Sequence, residues 1–169
     1  MNAEGSSFRE WRGNGGELLG VSQFQTMCAI YDQYKLLGFT IRFFPANVGT
    51  EPQNILERGN HILWTDQRRD PTLPDSTGIN EVINTASARM INPRRPNRIS
   101  LYRPKGQPEW GSTVDLPPPF PPLPTSKVDP WDGSINHFYE DATNAPAQHK
   151  LFYYTIQYKV IFRGRRQDT

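Results

Sequence analysis

FYYTIQYKVIFR, residues 152–163, alternates between two kinds of side chain along its whole length. One face carries Tyr154, Ile156, Tyr158, Val160 and Phe162, and the other carries Thr155, Gln157, Lys159, Ile161 and Arg163. Period-two alternation of β-branched and aromatic residues predicts a long β-strand that packs on one face only. We interpret it as a central strand of a sheet.

A second alternating segment runs from Leu36 to Phe44. Its aromatic and aliphatic face is Phe39, Ile41 and Phe43, and its polar face is Thr40 and Arg42. Pro45 ends the predicted strand because proline has no N–H to donate to a sheet. The preceding residues, 22–35, space their apolar side chains at helical intervals, and Ser22 could serve as an N-cap. We therefore predict a short helix that leads directly into this strand.

Shorter strands are predicted at residues 61–64, 98–102 and 137–139, and a second helix at 77–90. The chain has 16 prolines in 169 residues, which favours short strands joined by long loops. The segment from Pro117 to Pro124, PPPFPPLP, is either a stiff surface loop or a ligand for an aromatic groove. These patterns predict an all-β fold: a single antiparallel sandwich or barrel, the jelly roll among them, with long loops and one or two short helices.

Composition also narrows the class of protein. Cys28 is the single cysteine, so no internal disulfide can form, and its apolar surroundings favour a buried side chain over a nucleophile. No apolar run is long enough to cross a membrane, and the first residues contain no signal-peptide pattern.

Basic residues are concentrated in two segments that contain no acid, although the whole chain has a net charge of only +2. The first contains Arg89, Arg94, Arg95, Arg98, Arg103 and Lys105, and the second contains Lys150, Lys159, Arg163, Arg165 and Arg166. Such segregation favours a positive surface with a polyanionic partner. The alternative is that both segments are solvated faces balanced by acidic loops.

We predict a nucleic-acid-binding surface from these segments. Its residues are Arg89, Arg94, Arg95, Arg98, Arg103, Lys105, Arg163, Arg165 and Arg166. Tyr102 adds a stacking surface beside the arginines. Without base-reading architecture, binding would be independent of sequence and sensitive to salt. The competing interpretation is that some of these arginines pair with acids within or between subunits.

The sequence offers no assembled active site. None of the three histidines has a His or Cys at metal-ligand spacing, so we predict neither a metal site nor a cofactor. His61 is more consistent with a packed side chain than with a catalytic base. The acid pairs Asp66 with Asp70 and Glu140 with Asp141 lie in turn-like contexts, where carboxylates usually cap or face solvent. We therefore predict that the protein is not an enzyme.

Four segments in order resemble the capsid proteins of circoviruses and related small circular single-stranded DNA viruses. They are SQFQTMCAIYDQYKLLGFTIRFFP (22–45), HILWTD (61–66), the arginine-rich RMINPRRPNRISLYRPK (89–105) followed by Trp110, and YYTIQYKVIFRGRR (153–166). The resemblance covers most of the chain from Ser22 onward. Residues 1–21 differ from the family because they lack its usual arginine-rich arm, and we interpret them as a short N-terminal remnant.

The resemblance implies one jelly-roll domain of eight strands spanning residues 1–169. It also implies that about 60 copies form an icosahedral T=1 virion that encloses circular single-stranded DNA through a basic inner surface, and that assembly takes place in the host nucleus. We predict no membrane partner, because the chain has no long apolar run. The host receptor is not identified. Two alternatives remain open at this point: the coat protein of a small RNA virus, and a monomeric β-sandwich binding module.

Overall fold

The computed structural model describes residues 6–13, 16–45, 59–67, 86–92, 95–107, 109–113, 131–141 and 152–165. In chain order the elements are β1 (Ser6–Arg12), α1 (Gly16–Leu19), α2 (Ser22–Ile30), β2 (Tyr31–Pro45), β3 (Gly59–Asp66), β4 (Arg89–Met90), β5 (Asn97–Tyr102), β6 (Gly111–Ser112), β7 (Ser134–Asp141) and β8 (Phe152–Arg165). The segment from Pro117 to Pro124 lies outside the described residues.

The strands form two sheets in which every pairing is antiparallel. One sheet has the order β1-β7-β3-β4. In the other, β2 pairs with β8 along one edge and with β5 and β6 along the other. The two sheets enclose a common core, so the predicted all-β antiparallel sandwich is confirmed.

The position of β8 in its sheet differs from the prediction. β8 pairs with β2 and with no other strand among the described ones, so β2, not β8, is the central strand. The predicted faces of β8 are nevertheless confirmed, because its exposure alternates along the strand. Alternation records which side of a strand is buried, whereas the number of hydrogen-bonded neighbours leaves no period in the sequence.

The core between the sheets is built from large aromatic and aliphatic side chains. Trp11 of β1 meets Phe43 of β2 edge to face, with ring centroids 5.3 Å apart. Phe39 approaches Trp131, which precedes β7, at 6.5 Å. Edge-to-face geometry is favourable for aromatic pairs, and it ties the two sheets together.

The junction between α2 and β2 lies five residues earlier than predicted, because α2 ends at Ile30 and Tyr31 already has extended backbone. Residues 31–35 pair with β8, whose hydrogen bonds outweigh the helical spacing of their side chains. The capping residue is Val21, which makes no side-chain capping bond, so the Ser22 cap was wrong. The predicted burial of Cys28 is confirmed.

The helix predicted at residues 77–90 is wrong over its described part. Residues 86 and 87 form a turn, and Arg89–Met90 forms β4, which pairs with β3. The hydrogen-bonding groups of the β3 edge stabilise this short strand more than a final helical turn would. Residues 77–85 lie outside the described part of the chain.

The three short predicted strands are confirmed and extended to β3, β5 and β7. β1 was not predicted, because its residues do not alternate cleanly between apolar and polar. Its pairing with β7 runs from Ser6 opposite Glu140 to Arg12 opposite Ser134.

Two histidines are buried side by side in the core. Nδ1 of His61 in β3 lies 3.2 Å from Nε2 of His137 in β7, and the rings are nearly parallel. Phe43 and Phe152 surround the pair. The sequence-based interpretation of His61 as a packed side chain is confirmed.

Gly38 provides a test of the packing between β2 and β5. A Cβ at this position would lie 2.5 Å from the carbonyl oxygen of Leu101, a backbone atom that cannot rotate away. We expect Gly38→Ala to lower the free energy of unfolding by roughly 1–3 kcal/mol, measured by urea denaturation. Gly13→Ala is the comparison, because its nearest atom is a methyl of the Leu36 side chain, which can move. An equal cost at both positions would contradict this account.

Candidate nucleic-acid interface

The sheet containing β2, β5 and β8 turns one face towards the core. Because Phe39, Ile41 and Phe43 are buried there, the alternate residues of β2 lie on the opposite face. Residues opposite each other in an antiparallel pair share a face, so the register extends this assignment to β5 and β8. We call the face that points away from the core the outer face.

Three rows of residues cross the outer face in the order β5, β2, β8. They are Arg98, Arg42 and Thr155; then Ser100, Thr40 and Gln157; then Tyr102, Gly38 and Lys159. Beyond them, Lys35 lies opposite Ile161, and Gln33 lies opposite Arg163. None of the residues that the register places on the outer face of these three strands is acidic. The outer face therefore carries only positive charges, with hydroxyl and amide groups between the cations and the exposed side chains of Phe44, Tyr153 and Ile161 on the same side.

Arg42 and Arg98 lie directly opposite each other, and both are exposed. Like charges in this position destabilise a sheet by roughly 0.2–1 kcal/mol. An anionic ligand would relieve the repulsion by placing negative charge between the two guanidinium groups.

A second cationic group is organised around Trp110. The Cζ of Arg163 lies 3.9 Å from the centre of the Trp110 ring, and its Nε donates a hydrogen bond of 2.7 Å to Oε1 of Gln33. The Nζ of Lys35 lies 5.8 Å from the same ring and donates to the carbonyl of Gln107. Stacking and hydrogen bonding hold the Arg163 guanidinium in place, so it loses less side-chain entropy when it binds an anion.

The structure places the predicted basic residues in different environments. Arg98 and Arg163 lie on the outer face, and Arg165 is exposed at the end of β8. Arg95 and Lys105 are exposed in the connections that flank β5.

Three other predicted residues lie in the other sheet or outside the described part. Arg89 lies in β4 of the other sheet, is exposed and donates to the carbonyl of Arg98. Arg94 and Arg166 lie outside the described residues.

Arg103 is placed differently from the expectation of an exposed cation. Only 8% of the residue is exposed, and its guanidinium donates to the carbonyls of Leu36, at 3.4 Å, and Glu109, at 3.2 Å. Arg103 therefore links the end of β5 to the backbone at Leu36 and Glu109, and we leave it out of the candidate interface.

Lys35, Arg42 and Lys159 belong to the outer face but were absent from the predicted set. Arg42 and Lys159 were visible as polar residues in alternating strands, whereas Lys35 lay in the segment predicted as a helix. What was missing was the register, which places Arg42 opposite Arg98 and Lys159 in the same row as Tyr102.

Other kinds of site find little support in the part of the chain that is described. No group of three or more His, Cys, Asp or Glu side chains there could hold a metal ion. Nor does any described helix have the length and apolar character needed to span a membrane. Asp66 ends β3, whereas Asp70 and the side chains of Glu140 and Asp141 lie outside the description.

No protein-family model and no curated protein sequence matches this chain. Solved structures of viruses do match it along nearly its whole length. Tobacco necrosis virus gives a TM-score of 0.64 at 11% identity, covering 98% of this chain and 89% of the other. Cocksfoot mottle virus gives 0.61 at 8% identity, covering 98% and 88%.

A third match is the capsid protein of Penaeus vannamei nodavirus, a deletion mutant in the form of a T=1 subviral particle. Its TM-score is 0.56 at 10% identity, covering 95% of this chain and 83% of that one. Identities this low establish likeness of fold. The chain therefore has the fold of these virus coat proteins, an antiparallel jelly-roll sandwich.

Proposed function

We propose that this chain is a virus coat protein, a single jelly-roll domain that assembles with copies of itself into a small icosahedral shell around nucleic acid. The observation that carries the proposal is the likeness in fold to virus structures over 95–98% of the chain, one of which is a T=1 particle. A closed shell needs a rigid unit and self-complementary contacts, which a sandwich can supply. Our proposal is a T=1 virion of about 60 copies.

RNA is the content that we propose. The sequence resemblance implied a circovirus-like particle with single-stranded DNA, whereas the matching solved structures come from RNA viruses. The RNA-virus alternative therefore has the better support. Assembly in the host nucleus depended on the circovirus resemblance alone, and it is not part of this proposal.

Within the particle, we assign the nucleic acid to the outer face of this sheet, which is the face that points away from the core of the protein. Lys35, Arg42, Arg98, Lys159 and Arg163 form its cationic part, with Arg165 at its end. The exposed Arg95 and Lys105 extend the set into the connections beside β5, and the exposed Arg89 extends it towards β4. Arg94 and Arg166 stay in the set as sequence-based predictions. Binding through these groups would release counterions and weaken steeply with salt.

Electron microscopy and light scattering of the purified chain test the assembly. We expect closed particles of uniform size, and nucleic acid extracted from them that ribonuclease degrades and deoxyribonuclease does not. A mass near 19.4 kDa at every salt concentration and pH would contradict assembly and favour the monomeric binding module. Extracted nucleic acid that only deoxyribonuclease degrades would restore the DNA alternative.

A further inference from the structure

Tyr102 is an exposed aromatic residue on the outer face, in the third of the three rows. It ends β5, is 55% exposed and shares a row with Gly38 and Lys159. Part of the ring serves packing, because it lies against a glycine in the neighbouring strand.

Gly38 has no side chain, so the Tyr102 ring can approach the backbone of β2 on the outer face. A Cβ added there would lie 2.8 Å from Cδ1 of Tyr102, so the tyrosine ring occupies the space beside the glycine. An aromatic side chain that lies against a cross-strand glycine is supported from below by backbone. The ring is thereby fixed on the sheet while more than half of the residue stays accessible to a ligand.

Lys159 lies on the other side of Gly38 in the same row. Adjacent strands are about 4.8 Å apart, so the Cα atoms of Tyr102 and Lys159 are separated by roughly 10 Å. No side chain stands between them, because position 38 is glycine. An aromatic ring and a cation thus lie on either side of a position that has no side chain, and Arg42 and Arg98 lie two rows further along.

We infer that Tyr102 stacks an unpaired base while Lys159 and the arginines of the outer face bind the adjoining phosphates, so that this face prefers single-stranded nucleic acid to a duplex. The inference deepens the proposed function and rests on its assignment of nucleic acid to the outer face. In a duplex the faces of the bases are covered by their neighbours, whereas an unpaired base can lie on an aromatic ring. Cations alone would bind both forms through phosphate.

The experiment measures binding of the full chain to a labelled oligouridylate of about 12 nucleotides and to its duplex with oligoadenylate, by fluorescence anisotropy. Tyr102→Leu keeps an apolar cover over Gly38 but removes the aromatic face. We expect it to weaken single-strand binding roughly tenfold to a hundredfold and to change duplex binding less than about twofold. Tyr102→Phe keeps the ring and should bind the single strand within about threefold of the natural chain.

The matched control is Tyr154→Leu. Tyr154 is 36% exposed, but it lies on the other face of β8, opposite Phe43, where its ring centroid is 5.3 Å from that of Trp11. We expect this variant to bind both probes like the natural chain. Circular dichroism and a thermal midpoint for each variant separate lost binding from lost folding.

Four results would overturn the inference: unchanged single-strand binding by Tyr102→Leu, an equal loss for both probes, an equal loss in Tyr102→Phe, or an equal loss in the Tyr154 control. The outcome is independent of assembly, which microscopy reports separately. Particles with an unaffected Tyr102→Leu variant would leave the proposed function standing without this inference. If the chain forms no particles but Tyr102→Leu selectively loses single-strand binding, the base-stacking inference would stand and the proposed shell assembly would not.

Discussion

Lowering the pH from 7 to 5 is expected to reduce the free energy of unfolding by roughly 4 kcal/mol through the two buried histidines. Burial lowers the pKa of His61 from 6.5 to about 4. Burial, and in second place the charge of His61, lowers the pKa of His137 to about 3. Between these values and 6.5, the unfolded chain binds protons that the folded protein does not. The stabilisation is therefore complete above pH 6.5 and is lost as the pH falls towards 4 and 3.

Urea denaturation between pH 7 and pH 5 isolates this effect, because most carboxylates titrate at lower pH. The control is the double variant His61→Gln with His137→Gln, which removes both titrating rings from the core. It should be less stable than the natural chain at pH 7, since it disturbs the packing, but its stability should depend much less on pH. Equal slopes in the two proteins, or a histidine ring of this pair that titrates near 6.5 by NMR, would show that the pair is not held neutral.

The strand faces could be predicted from sequence because burial of one side leaves a direct period-two record. Phe39, Ile41 and Phe43 alternate with polar neighbours, and all three are buried as expected. The border between α2 and β2 leaves no such record. Tyr31 and Tyr34 satisfy a helical spacing and a strand equally well, and only their partners in β8, Arg165 and Phe162, decide between the two.

The candidate interface shows the same division between local pattern and long-range pairing. The charge segments identified where cations are abundant, but not which side of the sheet each one occupies. Counting by twos from Arg98 places Tyr102 on the same face and Arg103 on the opposite one, which is the side that the structure buries. The sequence therefore already indicated the burial of Arg103. It did not indicate that Arg42 lies opposite Arg98, because this depends on a pairing between segments more than 50 residues apart.

The repulsion between Arg42 and Arg98, which lie directly opposite each other, destabilises the sheet, and the packing of the fold does not need this pair. Core packing uses the other face, and neither Arg42 nor Arg98 is buried. The repulsion is consistent with a surface selected for an anionic partner at some expense of stability. Stability and nucleic-acid affinity should then change in opposite directions when this pair is altered.

We therefore expect the double variant Arg42→Gln with Arg98→Gln to bind single-stranded RNA roughly tenfold to a hundredfold more weakly at moderate salt. The slope of log affinity against log salt should fall by about 1.4, since each phosphate contact on a single strand contributes about 0.7. Without nucleic acid, the variant should be as stable as the natural chain or more stable by up to about 1 kcal/mol, because the like-charge pair is gone. Anisotropy titrations at several salt concentrations, together with urea denaturation, measure both effects.

Arg12→Gln is the control for a lost positive charge, because Arg12 lies in β1 of the other sheet and pairs with Glu10 at 3.1 Å. It should leave the salt slope unchanged and should not raise stability. An unchanged slope in the Arg42 and Arg98 variant would mean that phosphates do not contact this row. A loss of stability in that variant would mean that the two arginines support the fold, and that the outer face is not an interface maintained against its own repulsion.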